Sequence, residues 1–446
     1  MTDCNRQPAL FSSLKSQKIV ADFDGGRLTS DGGGLLLREA DRRLGLTRRL
    51  AACIPDPRDP DLTVHDQETM LAQRIFGIAL GYEDLNDHDT LRDDPLFSVL
   101  ADKRPDPEDP LASSPTLCRF ENRVDRRALV RMSEVFVETF IDSHKQPPKE
   151  LILDFDATDD LVHGAQEQRF FHGYYDNYCF LPLYVFCGDQ LLTAYLRPSN
   201  IDGSLHTRAI LKLLVDRFRK VWPDVKIILR GDSGFCRWRL MNWCDKHGVF
   251  YVLGLAQNKV LKRMSEPFME QAEAAFKHTG NKQRQFHEIR YGAQTWGRKR
   301  RVIVKAEHLN KGENTRFVVT NLPEPSPTEI YDGIYIARGD MENRIKEHQL
   351  DLFADRASSH LFRANQLRLW FSALAYVLMN TLRRKGLQHT RLAKATSGTL
   401  RTLLLKIGAR VLVSVRRVVV HLSSAAPYQD VFIHAWRTLR AYPLRI

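Results

Sequence analysis

The sequence lacks the marks of a membrane-bound or exported chain. It contains no run of 18 apolar residues, which excludes a conventional spanning helix, and its start, MTDCNRQPALFSSLKSQK, has no basic-then-apolar order of the kind a signal peptide needs. A cytoplasmic protein is expected. Its seven cysteines (Cys4, Cys53, Cys118, Cys179, Cys187, Cys236, Cys244) are odd in number, scattered and free of any C-x-x-C pair. That argues against a disulfide framework and a thiolate zinc site. The G-x-x-x-x-G-K-S/T pattern is also missing, so Gly32 to Gly34 form no phosphate loop and no nucleotide cofactor is implied.

What is present is a globular composition with a lopsided charge. At 446 residues, 43% hydrophobic and 27% charged, the chain is long enough for about three domains and too apolar to be disordered. The net charge is +12, but residues 361 to 446 carry 15 Lys/Arg and one Asp, leaving a slight negative balance before them. A one-sided basic excess suits a polyanion, because neutralising phosphates releases counterions.

The first 100 residues read as mainly helical, with Leu35, Leu36, Ala40, Leu44 and Leu50 at helical spacing and a second amphipathic run over about 63 to 81. Ser114-Pro115-Thr116 opens a further helical stretch, and Lys145-Gln146-Pro147-Pro148-Lys149 marks a boundary. Short apolar runs follow: LILDFDAT, then FLPLYVFCG and LLTAYLRP around a Gly188-Asp189 turn. A helix over about 205 to 222, the strand VKIILRGDSGF, a short helix and the strand VFYVLGLA come next. This order predicts three antiparallel strands, then helix-connected parallel ones, in a mixed sheet. Residues 257 to 325 predict an antiparallel, β-rich insertion of their own, after which helices resume near 335. The expected regions are therefore 1–148 (helical), 149–256 (first part of a core), 257–325 (insertion), 326–385 (helical second part) and 386–446 (basic).

Three carboxylates lie at places where chemistry is usually done. Side chains alternate along a strand, so Asp154 and Asp156 share one face. Asp232 ends an apolar strand at a Gly231/Gly234 turn, and strand ends are where α/β sheets bind ligands. Glu342 sits on a helical face with Tyr335, Arg338, Lys346 and Gln349. Each has an ordinary structural alternative, turn capping for the aspartates and a solvated ion-paired face for Glu342. Together they allow an oxygen-donor site for Mg²⁺, and two such ions can drive an in-line phosphodiester displacement. Arg338 and Lys346 would then serve phosphates.

D-A-T at Asp156–Thr158, R-G-D-S-G-F around Asp232 and Y-x2-R-x3-E around Glu342 resemble the three signatures of the DDE transposases of bacterial insertion sequences. ADFDGGRLTSDGGGLLLREAD, S-P-T-L-x-R-F-E-N at 114 to 122 and H-G-x-Q-E at 163 to 167 resemble, more narrowly, the insertion sequence 1380 family, over nearly the whole chain. The resemblance implies an α/β, ribonuclease H-like catalytic domain with a β-rich insertion, preceded by a mainly helical N-terminal domain that binds element ends. It implies Asp156, Asp232 and Glu342 as catalytic and metal-holding residues, with Mg²⁺ or Mn²⁺. Double-stranded DNA is the implied partner of a homodimer, cytoplasmic and nucleoid-associated when bound. Tyr335, Arg338 and Lys346 would lie near the DNA; the related pattern has a basic residue where this chain has Gln349. Asp154 remains open as a metal ligand, Asp156 being favoured because it immediately precedes x-Thr. Arg298, Lys299, Arg300 and Arg301, beside Trp296, are candidate backbone contacts, and His163 and Gln166 are candidate neighbours of the site. The alternative functional reading is a non-catalytic DNA-binding derivative; a carboxylate-pair glycoside hydrolase fits the basic C-terminus poorly.

Overall fold

The computed structural model describes residues 8–443, and the architecture is mixed α/β. The chain forms two compact units, one from the N-terminal residues through Arg123 plus Leu378 onward, the other from Val124 to Val377.

The second unit is built on one sheet. In chain order its elements are α1 (Arg126–Asp142), β1 (Glu150–Ala157), β2 (Leu183–Cys187), β3 (Gln190–Tyr195), α2 (Thr207–Val221), β4 (Lys226–Gly231), α3 (Trp238–Lys246), β5 (Phe250–Leu255) and α4 (Lys259–Thr279). They continue with β6 (Gln283–Tyr291), β7 (Arg300–Leu309), β8 (Gly312–Glu313), β9 (Arg316–Thr320), α5 (Gly339–Leu352) and α6 (Phe362–Thr381). The strands form a nine-stranded sheet in the order β6-β7-β9-β5-β4-β1-β2-β3, with β8 paired to β7. The β1-β2-β3 meander is antiparallel, while β4 runs parallel to β1 and β5 parallel to β4, as the element order predicts.

Alternation sorts the strand residues onto two faces. Leu151, Leu153, Phe155, Ile227, Leu229 and Leu253 form one core with Leu211, Leu214 and Phe218 of α2 and Leu240 and Met241 of α3. On the opposite face Ile228, Val252, Ile303 and Val318 pack with Ile330 and Tyr331. Phe140 of α1 also belongs to the first core, its ring 5.4 Å from Phe218, so α1 groups with the sheet although the Pro147-Pro148 punctuation places it in the preceding region.

The expected separate insertion does not exist as such. Strands β6, β7 and β9 extend the main sheet, because β9 pairs antiparallel with β5 (Leu255 opposite Phe317) and Val302, Val304 and Val319 enter the main core. An internal antiparallel strand buried on both faces has the same local pattern as a strand of an independent sheet, and only the pairing partner distinguishes them.

The first unit begins with an antiparallel hairpin, Ala9–Leu14 with Gln17–Ala21, in a region read from the sequence as mainly helical. The helices follow: Leu35–Leu44, then Leu46–Ala51 after Gly45 turns left-handed (φ 60°), then Gln67–Leu80 capped by Asp66 on the Thr69 amide. The segment 386–446 is no separate region. Its strand Ala409–Val413 pairs with Val418–Leu422 and with Leu28–Thr29, and Arg43 donates to the Tyr442 carbonyl at 3.0 Å. The glycine run has a packing explanation: a Cβ on Gly33 would lie 2.1 Å from the Leu404 carbonyl oxygen. Gly33→Ala must push two backbones apart, and chemical denaturation should show a loss of about 1–3 kcal/mol.

Candidate active site

Two of the three sequence signatures converge through neighbouring strands. Parallel pairing of β1 with β4 places Arg230 opposite Asp154. The Arg230 guanidinium engages both oxygens of Asp154, at 2.6 Å for Nη2–Oδ2, and both residues are buried. Its remaining arm, Nη1, donates to the Ile334 carbonyl at 2.5 Å. Asp154 is therefore consumed by a structural ion pair, and this corrects its candidacy as a metal ligand. A carboxylate whose two oxygens already hold a guanidinium is stabilised in place by charge-assisted bonds and has little left to offer an ion.

Asp156 is the next residue on the same face, close to the strand end. One oxygen accepts from the Ala157 amide at 2.9 Å, and the other lies 3.7 Å from Arg338 Nη1. The second arm of Arg338 meets Glu342 at 2.7 Å, one helical turn further on. Arg338 thus bridges two of the three carboxylates that the sequence singles out. Asp232 ends β4, and its Oδ1 caps the following turn by accepting from the Gly234 amide at 2.8 Å. The turn-capping role is real, and it uses one oxygen while orienting the other.

Tyr335 joins these groups. It lies near enough to Arg338 and Asp232 for both charges to act on its phenol. A Cβ added to Gly254 of β5 would stand 2.6 Å from the Tyr335 hydroxyl and 2.8 Å from the Ser233 amide nitrogen. Gly254 therefore permits the Asp232 turn and Tyr335 to close over β5. Neither Gly254 nor Arg230 stands out in a search for catalytic residue types. The available signals were a glycine inside an apolar strand and a cation inside another.

Electrostatics mark the same spot. Burial pushes the Asp156 carboxyl up to about 7; Arg338 pulls the other way, and the negative charges of Asp232 and Glu342 add to the rise. Burial likewise raises the Tyr335 phenol, with Arg338 opposing. A cluster of acids whose charges disfavour one another is a place where a cation is stabilising. The donor set, carboxylate oxygens alone, suits a hard divalent ion. Among the described residues, however, no three His, Cys, Asp or Glu side chains stand close enough together to hold an ion as they are, and Glu342 is committed to Arg338. The residues fit the ion in type, with Arg338 supplying the countercharge in this arrangement.

The remaining candidates separate by what they touch. Lys346 is exposed on α5. Gln349, the departure from the family pattern, donates to the Asp159 carbonyl and to Asp160 at 3.0 Å, so it holds the segment after β1 in place. The basic run is mostly structural, which corrects its reading as a set of backbone contacts. Arg300 is buried and bonded to Asp245, Asn242 and the Tyr251 hydroxyl, and Arg301 is tied to Glu288 and to the Leu322 and Pro325 carbonyls. Arg298 pairs with Asp245 at 2.7 Å while staying largely exposed, and Lys299 is exposed. In the H-G-x-Q-E motif His163 is exposed, Gln166 donates to the Ala357 carbonyl and Glu167 accepts from the Phe362 amide, so the motif clamps the chain entering α6. Six cysteines are free thiols, and Cys4 lies outside the described residues.

Residues 11–444 match the family model described as Transposase DDE domain group 1. The chain belongs to this DDE transposase family. Among solved structures, the transposase is similar to a chain of the piggyBac transposase synaptic complex with hairpin DNA, at 11% identity and a TM-score of 0.42, covering 85% of this chain and 81% of that one. No curated protein matches it. Among the described residues, no helix of the transposase is long and apolar enough to cross a membrane.

Two expectations follow for the transposase site. A buried acid with a raised pKa gives the folded state stability that is present below its unfolded pKa and lost as pH rises through its folded value, here about 7. In EDTA, Asp156→Asn should therefore be more stable than wild type to chemical denaturation at pH 8 by roughly 1–3 kcal/mol, the gap closing toward pH 4. Gly254→Ala should keep its circular dichroism spectrum yet lower DNA strand cleavage by about 100-fold, because it displaces Tyr335 and the Asp232 turn.

Proposed function

We propose that this chain is a DNA transposase of the insertion sequence 1380 type. In this reading it binds the terminal inverted repeats of its element, nicks DNA to free a 3′-hydroxyl and joins that end to target DNA. The observation that supports the reading most is the bridge that Arg338 makes from Asp156, near the end of β1, to Glu342 on α5, with Asp232 after the adjacent strand near enough for its charge to act on Asp156. The strand order β3-β2-β1-β4-β5, antiparallel then parallel, supports a ribonuclease H-like core.

Asp156, Asp232 and Glu342 would hold Mg²⁺, with Mn²⁺ able to substitute. When bound, the ion supplies activation of a water or hydroxyl and stabilisation of the leaving oxygen. The chain's own residues set the stage. Asp154 and Arg230 hold the Ile334 backbone, and with it the start of the segment carrying Arg338 and Glu342. Arg338, once released from Glu342, is a bidentate group suited to a phosphate, and exposed Lys346 lies two turns from the segment's start as a second cation. Tyr335, beside Arg338, closes the site over Gly254.

Charge points to the same partner. Several cations of the basic C-terminal segment are used within their own unit, as Lys406 is by Asp31 at 2.7 Å and Arg401 by the Ala79 carbonyl at 3.0 Å. Arg410, Arg416 and Arg417 remain exposed for double-stranded DNA. Processing two element ends together calls for a homodimer on DNA, acting in the cytoplasm on the nucleoid.

The test is cleavage of a labelled duplex carrying an element end, with wild type and Asp232→Ala, in Mg²⁺ and in EDTA. Cutting at the element boundary by wild type in Mg²⁺, abolished to background by either change, is the expected result. Equal binding without cutting in all four reactions would replace this reading with that of a non-catalytic DNA-binding derivative.

A further inference from the structure

Four residues beyond Asp156 the chain enters a small second sheet. Asp160–Leu161 pairs with Asn177–Phe180, which pairs in turn with Phe170–His172. The hairpin of the last two strands, RFFHGYYDNY, is unusual in what it shows to solvent: Tyr174 is 84% exposed, Phe171 53% and Tyr178 50%. Large rings are normally the first groups to be buried, and a cluster of them on one tip marks an interaction surface.

The tip is firmly built. The amides of Tyr175 and Asp176 both donate to the His172 carbonyl, at 3.1 and 2.8 Å, and Ser199 donates to the Phe170 carbonyl at 2.8 Å. The rings contact one another edge to face, Phe171 with Tyr178 at 5.7 Å and Tyr174 with Tyr175 at 5.0 Å. The Arg169 guanidinium lies over the Tyr178 ring, 4.9 Å from its centroid. The sheet that holds the hairpin begins at Asp160, four residues after Asp156 in the chain.

A cluster of flat rings with the Arg169 guanidinium stacked on one of them, paired to the segment that follows the strand carrying Asp156, has the composition of a surface that stacks bases. We propose that the 169–178 hairpin is a stacking platform for unpaired nucleobases of the DNA strand next to the bond that is cut. This rests on the transposase reading above and deepens it. Paired bases present no free face, so the platform engages DNA only where the strands have separated.

The experiment uses the full chain, a 20-nucleotide oligothymidylate and a fully paired 20-base-pair duplex, with binding read by fluorescence anisotropy. Phe171→Ala and Tyr174→Ala should each weaken oligothymidylate binding about tenfold while changing duplex binding less than twofold, and Tyr174→Phe should restore the wild-type value. Tyr174 is so exposed that its removal leaves the fold intact, which circular dichroism checks. Wild-type oligothymidylate affinity in both alanine variants overturns the platform and leaves the transposase reading standing, provided that wild type still cuts the element-end duplex. A wild-type protein that binds neither DNA overturns both.

Discussion

The site depends on one buried ion pair. Asp154 and Arg230 lie on adjacent parallel strands, 76 residues apart in sequence, and the guanidinium spends its third contact on the carbonyl of Ile334. Taking two charges out of water is costly, and the cost is recovered only when every arm is bonded. Here the arrangement does more than hold two strands. It connects the sheet to the backbone that begins the Tyr335–Glu342 segment, so the third carboxylate is located by a bond made from the strands of the first two. Losing either partner leaves an unpaired buried charge, which typically costs about 3–5 kcal/mol.

Around that anchor the acids are held in mutual tension. Asp156 sits half-buried near two other negative charges, and Arg338 is the group that makes this tolerable. In the metal-ion reading proposed above, the same guanidinium is the group that would have to release Glu342 for another cation to take its place. Gln349 and Glu167 fit the same logic in a different role. Their bonds to Asp160 and to the Phe362 amide restrain the chain on either side of the site without entering it.

Much of the second unit was legible in the sequence because its elements announce themselves locally. Apolar runs of strand length around Gly188-Asp189, and helical spacing over 207–221, needed no partner to be read. Where the local pattern is ambiguous the reading failed. Strands β7 and β9 look the same in isolation whether they form a sheet of their own or extend another, and their pairing with β5 decided it. The opening hairpin, Ala9–Leu14 with Gln17–Ala21, was missed beneath the helical signal that follows it. The basic run failed for a related reason: charge is visible in sequence, but Arg300 finds Asp245, 55 residues away, and is buried there.

By itself the sequence determined the order and type of the core elements, the three acids at their ends and the family they indicate. Those follow from periodicity, turn chemistry and short motifs, all of which act over a few residues. Only the tertiary structure decided which charges are spent and which are free. It removed Asp154, Arg300 and Arg301 from the functional set, added Arg230 and Gly254 as the groups that position it, and gave Gln349 a structural task. An ion pair or a close backbone approach depends on distances between segments far apart in the chain, and no local pattern carries that information.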